Sequence, residues 1–160
     1  MKKIILDVCC GGRMFWFDKN NPHVLFLDNR TFSVELCDGR DFEIKPDEIG
    51  DFRNLRFPDE SFSCVVFDPP HLTSLGEKSW MAKKYGRLNK QTWRKDIKAG
   101  FNECFRVLKM NGTLIFKWNE YDIPTKEILK LAPQAPLFGH LSGKLQKTQW
   151  IVFMKLTPNP

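Results

Sequence analysis

Val65-Val66-Phe67-Asp68-Pro69-Pro70-His71 is a short apolar run that stops at a carboxylate followed by two prolines. An apolar run of this length reads as a buried strand. Neither proline carries a backbone N–H, so a central strand cannot continue through them. The strand therefore ends at Asp68 and sets a carboxylate at its carboxyl end, the edge of an open α/β sheet where ligands bind. The prolines stiffen the loop, so that Asp68 and the neighbouring carbonyls keep a fixed direction. A carboxylate and a carbonyl held this way can accept both N–H bonds of a planar amine and leave its nitrogen facing an electrophile.

The same pattern recurs outward from this point. Lys3–Val8 reads as a strand carrying Asp7, with Cys10-Gly11-Gly12 as the turn behind it. Val24–Asp28 is a second strand ending in a carboxylate, and Pro46–Asp51 leads to a third acidic strand end. Arg13–Asn20 reads as a short helix. Phe32–Leu36 and Asp41–Lys45 flank Asp38-Gly39, a hairpin signal. Leu72–Asn89 has weak periodicity and two glycines and reads as a loop. Lys90–Lys109 carries Trp93, Ile97, Phe101, Phe105 and Leu108 near a helical period, with Asn111-Gly112 as its C-terminal cap. Thr113–Trp118 is a strand and Pro124–Leu131 a short helix. Leu137–Leu141 and Gln149–Leu156 read as two final strands. Strands alternating with helices predict an α/β domain with a mostly parallel sheet, and parallel strands bring Asp7, Asp28, Asp51 and Asp68 to one edge.

The chain has 160 residues, enough for one domain with a sizeable core. No apolar run reaches the length of a membrane span. The opening Met-Lys-Lys-Ile-Ile-Leu-Asp is too short in apolar residues for a signal peptide, which makes a cytoplasmic location the expectation. The five cysteines, Cys9, Cys10, Cys37, Cys64 and Cys104, contain no C-x-x-C pair. They are read as small buried hydrophobes, and no metal site is expected. Net charge is +6, which suits a polyanionic partner. The charge is concentrated: Lys78–Lys98 holds eight basic residues against the single acid Asp96. Trp80, Tyr85 and Trp93 are interleaved with them, as in a surface that tracks a nucleic-acid backbone and stacks a splayed base. A solvated charged loop and helix face is the other reading of this segment.

In the content and order of these motifs, from about Lys3 to Lys155, the chain resembles the class I S-adenosylmethionine-dependent methyltransferases. It is most similar to the branch that methylates exocyclic or amide nitrogens and carries an Asp/Asn-Pro-Pro-aromatic motif. The resemblance implies a Rossmann-like α/β fold with a mostly parallel seven-stranded sheet and an antiparallel C-terminal strand. It implies a single minimal domain over residues 1–160, with 72–89 facing the substrate and no separate target-recognition domain. Asp7-Val8-Cys9-Cys10-Gly11-Gly12 resembles the family's acidic, glycine-containing first loop. Asp28, with Asn29 beside it, matches the acid that holds the ribose hydroxyls. Gly50-Asp51-Phe52 matches the acid that accepts from the cofactor's adenine amine and the residue packed beside the base, with Asp47 near enough to take the same part. The implied cofactor set is Asp7, Cys9, Cys10, Gly11, Gly12, Asp28, Asn29, Asp51, Phe52 and Asp68.

The chain departs from the family where the first loop has Arg13-Met14-Phe15 in place of a third glycine. The Asp38-Gly39 hairpin stands where a second helix is usual, and His71 stands where Tyr, Phe or Trp is usual.

The implied catalytic set is Asp68, Pro69, Pro70 and His71. The implied substrate contacts are His71, Lys78, Trp80, Lys83, Lys84, Tyr85 and Arg87, and no metal is implied. His71 either stacks on a flat substrate or makes a structural hydrogen bond. The expected reaction is methyl transfer from S-adenosylmethionine, leaving S-adenosylhomocysteine, to an exocyclic amine of a base in DNA or RNA. Adenine N6 comes first, with cytosine N4 and guanine N2 behind it. The alternatives are methylation of a protein amide or small amine, and a non-catalytic nucleic-acid-binding protein on the same fold. G-x-G-x-x-G is absent, which disfavours a nicotinamide enzyme.

Overall fold

Strands buried on both faces need near-continuous apolar sequence, and Val24–Asp28 is buried at every position. A computed structural model describes residues 2–35, 39–74, 76, 80–142 and 144–157, with Lys83 described by its backbone alone. In chain order the strands are β1 (Ile5–Asp7), β2 (Val24–Asp28), β3 (Phe32–Glu35), β4 (Asp41–Ile44), β5 (Glu48–Ile49) and β6 (Phe62–Phe67). Helices α1 (Trp80–Tyr85) and α2 (Trp93–Val107) follow, then β7 (Leu108–Asn119), α3 (Thr125–Leu129), β8 (Phe138–Ser142) and β9 (Thr148–Met154). Among the described residues, seven strands form one sheet in the order β5-β2-β1-β6-β7-β9-β8, and β3 and β4 form a separate hairpin. β5, β2, β1, β6 and β7 run parallel, while β9 is antiparallel to both β7 and β8. The Rossmann-like sheet anticipated from the sequence is therefore present.

The strand order reverses between β1 and β6, and such a reversal opens a crevice beyond the carboxyl ends of the strands. The register places Asp7 level with Phe26 and Val66. Asp28 and Asp68 lie two residues beyond those partners, so they flank the turn that leaves β1, with Asp7 beneath it.

Helix α2 covers one face of the sheet. Its buried residues Ile97, Phe101, Cys104 and Phe105 recur at helical spacing. Phe101 packs on Phe67 and Phe116 with ring centroids 5.5 and 4.8 Å apart. Gly100 is required at the closest approach: a β-carbon there would stand 2.6 Å from Phe67 Cζ and 2.7 Å from Phe52 Cδ2.

Three local readings are corrected. Arg13–Asn20 forms turns. Arg13 adopts φ 53°, and its guanidinium donates to the Lys19 and Lys45 carbonyls while lying 3.9 Å over the Phe26 ring. Trp16 packs on Phe26 and Phe15 on Trp150. Asn111-Gly112 does not cap α2. The helix passes directly into β7 at Leu108, and Asn111 (φ 60°) sits in an irregularity of that strand, where β6 and β7 lose register between Phe62 and Cys64. Within 72–89, Trp80–Tyr85 is helical, and Gly86 is its stop: φ is +74° and its N–H donates to the Ala82 carbonyl. A β-carbon on Gly86 would lie 2.9 Å from Pro70, so the end of α1 is seated on the motif loop. None of the described helices is long and apolar enough to cross a membrane.

Candidate active site

The crevice is a cavity of about 500 Å³ at the carboxyl edge of the sheet, within the range of small-molecule sites. Asp68, Pro69, Pro70 and His71 line it from the loop after β6, Cys9, Cys10, Gly11 and Gly12 from the turn after β1, and Asp28 and Asn29 from the end of β2. Phe52, Lys84, Tyr85 and Arg87 complete the sequence-derived residues on its wall. Asp7, Asp51, Asp47 and Trp80 do not line it. Lys78 and the side chain of Lys83 lie outside the described residues.

Asp7 is fully buried beneath the first turn. It accepts from Trp16 Nε1 at 2.7 Å and from the Cys9 N–H at 3.2 Å. Burial pushes its carboxyl up to about 7, against the pull of those two donors and with a further push from Asp68 and Asp28. Its place is in the floor, where it shapes the Cys9–Gly12 turn. Burial likewise raises both thiols that face the cavity, Cys10 to about 12. Both are protonated near neutral pH and act as small apolar wall residues.

Asp28 ties two elements together. Its Oδ2 accepts from the Gly11 N–H at 2.9 Å, and its Oδ1 accepts from the Arg30 N–H at 3.0 Å and Arg30 Nε at 3.1 Å. Asp51 is held by Arg53, whose Nη2 donates to Asp51 Oδ2 at 2.6 Å and whose Nη1 reaches Asp96 at 3.2 Å. Arg53 and Asp96 reach the cavity wall, as does Phe52. Asp47 is taken up by Lys3 and Arg13.

Asp68 carries an ion pair that sequence reading missed: Lys117 Nζ lies 2.7 Å from its Oδ2. Burial raises the Asp68 carboxyl above its ordinary value, and Lys117 opposes that rise ahead of His71. His71 stands edge-on to Trp118, with centroids 6.2 Å apart. Burial holds its imidazole below the ordinary value, against the pull of Asp68, so the ring is neutral near pH 7. The loop behind His71 is clamped by Asp122, which accepts from the Thr73 and Ser74 N–H groups at 2.7 and 3.0 Å and from both hydroxyls.

Arg30, Arg53 and Lys117 were missed, as were Met14 and Phe15, which also line the cavity. A signal existed for three of them. Arg30 and Arg53 each follow a strand-end aspartate by two positions, and Lys117 is the lone charge in Leu114–Trp118.

The cavity wall thus combines a glycine turn, the Asp28 carboxylate at the end of β2 and the Phe52 ring. The sheet order and its antiparallel C-terminal pair are those of a Rossmann-like fold, an architecture found among S-adenosylmethionine-dependent methyltransferases. No family model and no curated protein sequence matches the chain. Solved structures do. A protein of Pyrococcus horikoshii OT3 superposes with a TM-score of 0.59 at 16% identity, over 94% of this chain and 81% of that one. An S-adenosylmethionine-dependent methyltransferase of Methanosarcina mazei gives 0.57 at 13% identity, over 96% and 92% of the two chains. A TehB-like S-adenosylmethionine-dependent methyltransferase of Corynebacterium glutamicum gives 0.54 at 15%, over 94% and 79%. At such identities the likeness is one of fold.

Proposed function

We propose that this chain is an S-adenosylmethionine-dependent methyltransferase acting on the exocyclic amino group of a nucleobase in DNA or RNA, adenine N6 first, with cytosine N4 and guanine N2 as the other acceptors. One observation carries the reading. A single cavity brings the glycine turn and Asp28 of the proposed cofactor half together with Asp68, Pro69, Pro70 and His71 of the proposed acceptor half.

Asp28 and the Gly11–Gly12 turn would hold the cofactor's ribose, and Phe52 would pack beside its adenine. The ribose hydroxyls would compete with Arg30 for the Asp28 carboxylate. The cofactor supplies an electrophilic methyl group on a sulfonium. The amine of a base is a poor nucleophile because its lone pair is delocalised into the ring. Asp68 and the Pro69 carbonyl would accept its two N–H bonds, favour a pyramidal nitrogen and aim the lone pair, which is catalysis by positioning and electrostatics. Asp68 need not act as a strong base, since the proton can leave after transfer. His71 would stack on the base as a neutral ring. The Asp68–Lys117 pair favours an uncharged amino group. An aliphatic ammonium would have to displace a counterion already tethered at 2.7 Å, whereas a neutral amine needs only the second carboxylate oxygen.

The test is transfer of tritiated methyl to total DNA, RNA and protein, followed by nucleoside analysis. We expect label in a methylated base and a loss of at least about a hundredfold in rate for Asp68→Ala, the scale of losing one aligned transition-state contact. Label confined to protein, or a rate unchanged in the variant, overturns the reading.

A further inference from the structure

We infer that Lys117 is a positioning residue for Asp68, fixing one carboxylate oxygen so that the other is presented to the acceptor nitrogen. The catalytic meaning of this step rests on the proposed function; the ionic arrangement rests on geometry alone.

β7 alternates sharply. Leu114, Phe116 and Trp118 are fully buried, while Lys117 projects from the opposite face. Lys117 is paired across the sheet with Trp150. Its ammonium lies 5.6 Å from the Trp150 ring and 5.5 Å from the Phe15 ring, and those rings meet edge to face at 5.3 Å. Two aromatic rings thus flank the cation and help offset its desolvation. The rings also limit where Nζ can go, and among the described residues its hydrogen bond is to Asp68 Oδ2 at 2.7 Å. With Oδ2 engaged, the carboxylate plane is set, and Oδ1 remains for a substrate N–H.

The charged surroundings make this arrangement necessary. Asp68 faces Asp7 and Cys9 from β1 and the turn behind it, and His71 from its own loop. Asp28 acts on the same group of acids from β2, and Asp122 faces His71 from beyond β7. Three aspartates cluster here, and His71 is held neutral by burial. Among the described residues, Lys117 is the full positive charge in contact with Asp68. Without it a buried carboxyl beside Asp7 would take up a proton and lose an acceptor oxygen.

The experiment follows the Asp68 side-chain carboxyl by carbon-13 NMR across pH 3–9, without cofactor or substrate, in wild type, Lys117→Met and Lys117→Arg, with Asp68→Asn to assign the signal. We expect the Asp68 midpoint to rise by a pH unit or more in Lys117→Met and to return toward wild type in Lys117→Arg. An unchanged midpoint in Lys117→Met overturns the inference. Should Lys117→Met fail to fold by circular dichroism, the nitrogen-15 signal of Lys117 Nζ in wild type decides: a shift at the Asp68 midpoint supports the pair, and none overturns it. In transfer assays the acid limb of the pH–kcat profile should move upward in Lys117→Met with KM for S-adenosylmethionine unchanged. Absence of methyl transfer in wild type would overturn the proposed function and leave the NMR result standing, whereas an unshifted midpoint would overturn the role of Lys117 and leave transfer standing.

Discussion

Asp7 shows how a residue can serve the site and destabilise the fold at the same time. Its carboxyl is raised to about 7, chiefly by burial, whereas in the unfolded chain it titrates near its ordinary value of about 4. Between those two values the native state holds a proton that the unfolded state has released. The stability associated with Asp7 is therefore fully present below about pH 4 and is lost as pH rises toward 7. Each pH unit of displacement corresponds to roughly 1.4 kcal/mol. Asn at this position stays uncharged and retains one acceptor for Trp16 Nε1 or the Cys9 N–H, at a cost of about 1 kcal/mol for the lost bond. We predict that urea unfolding of the wild type shows stability falling from pH 4 to 7, and that Asp7→Asn makes that slope shallower, the raised Asp68 carboxyl supplying the remainder. The lowered value of buried His71 adds an opposite slope, since a histidine held neutral gains stability as pH rises toward 6.5, but it acts equally in both proteins. Parallel pH profiles for the two proteins would contradict the assignment. The role in the floor was only half legible in sequence. Position 7 reads as a strand end, but its depth depends on Trp16, which belongs to turns that sequence read as a helix.

At the scale of elements, Gly100 links helix packing to the cavity wall. A β-carbon there collides with Phe67 in the core and with Phe52 beside the cavity, while Phe52 and Phe67 are themselves in contact at 5.3 Å. Overpacking of this kind costs about 1–3 kcal/mol, and the gain in helix propensity from Gly to Ala returns up to about 1. We predict that Gly100→Ala lowers the melting temperature by several degrees and weakens S-adenosylhomocysteine uptake in calorimetry, because the flexible side of the collision is Phe52. A variant that melts higher, or binds as tightly as wild type, would show that α2 moves and Phe52 does not. The strands were readable because a period of two, or an unbroken apolar run, leaves few alternatives. The helix end was not. Asn111-Gly112 has the composition of a cap, yet α2 ends at Val107, where Leu108 turns extended and pairs with Phe62. Tertiary pairing overrides a local signal there. Gly86 was legible only as a break, because its other role, the close approach to Pro70, joins segments that sequence cannot bring together.

For the whole molecule, the readable part of the site was the part carried by strand ends. Asp28, Asp68 and the glycine turn reach one cavity because parallel strands share an edge. Lys117 required three dimensions, since its partner Asp68 lies 49 residues away and is chosen by packing, whereas Arg30 and Arg53 pair with aspartates two positions before them. The net charge of +6 likewise gains meaning from placement. Lys84 and Arg87 stand on the cavity wall, and Lys84 Nζ lies 5.1 Å from the Tyr85 ring. If the acceptor is a base within a nucleic acid, phosphates flanking it must pass these cations, and each neutralised phosphate releases counterions. The logarithm of affinity then falls linearly with the logarithm of salt concentration, with a slope of about −0.7 per contact for single strands and about −0.9 for duplex. We predict such a linear fall for wild type binding to oligonucleotides, and a slope shallower by about 1.4–1.8 in Lys84→Ala/Arg87→Ala. Circular dichroism of the double variant checks that it remains folded. A protein amide or small amine as acceptor predicts a flat salt dependence in both proteins. A steep slope unchanged by the double substitution would move the phosphate path elsewhere on the surface and detach these two cations from the acceptor side of the cavity.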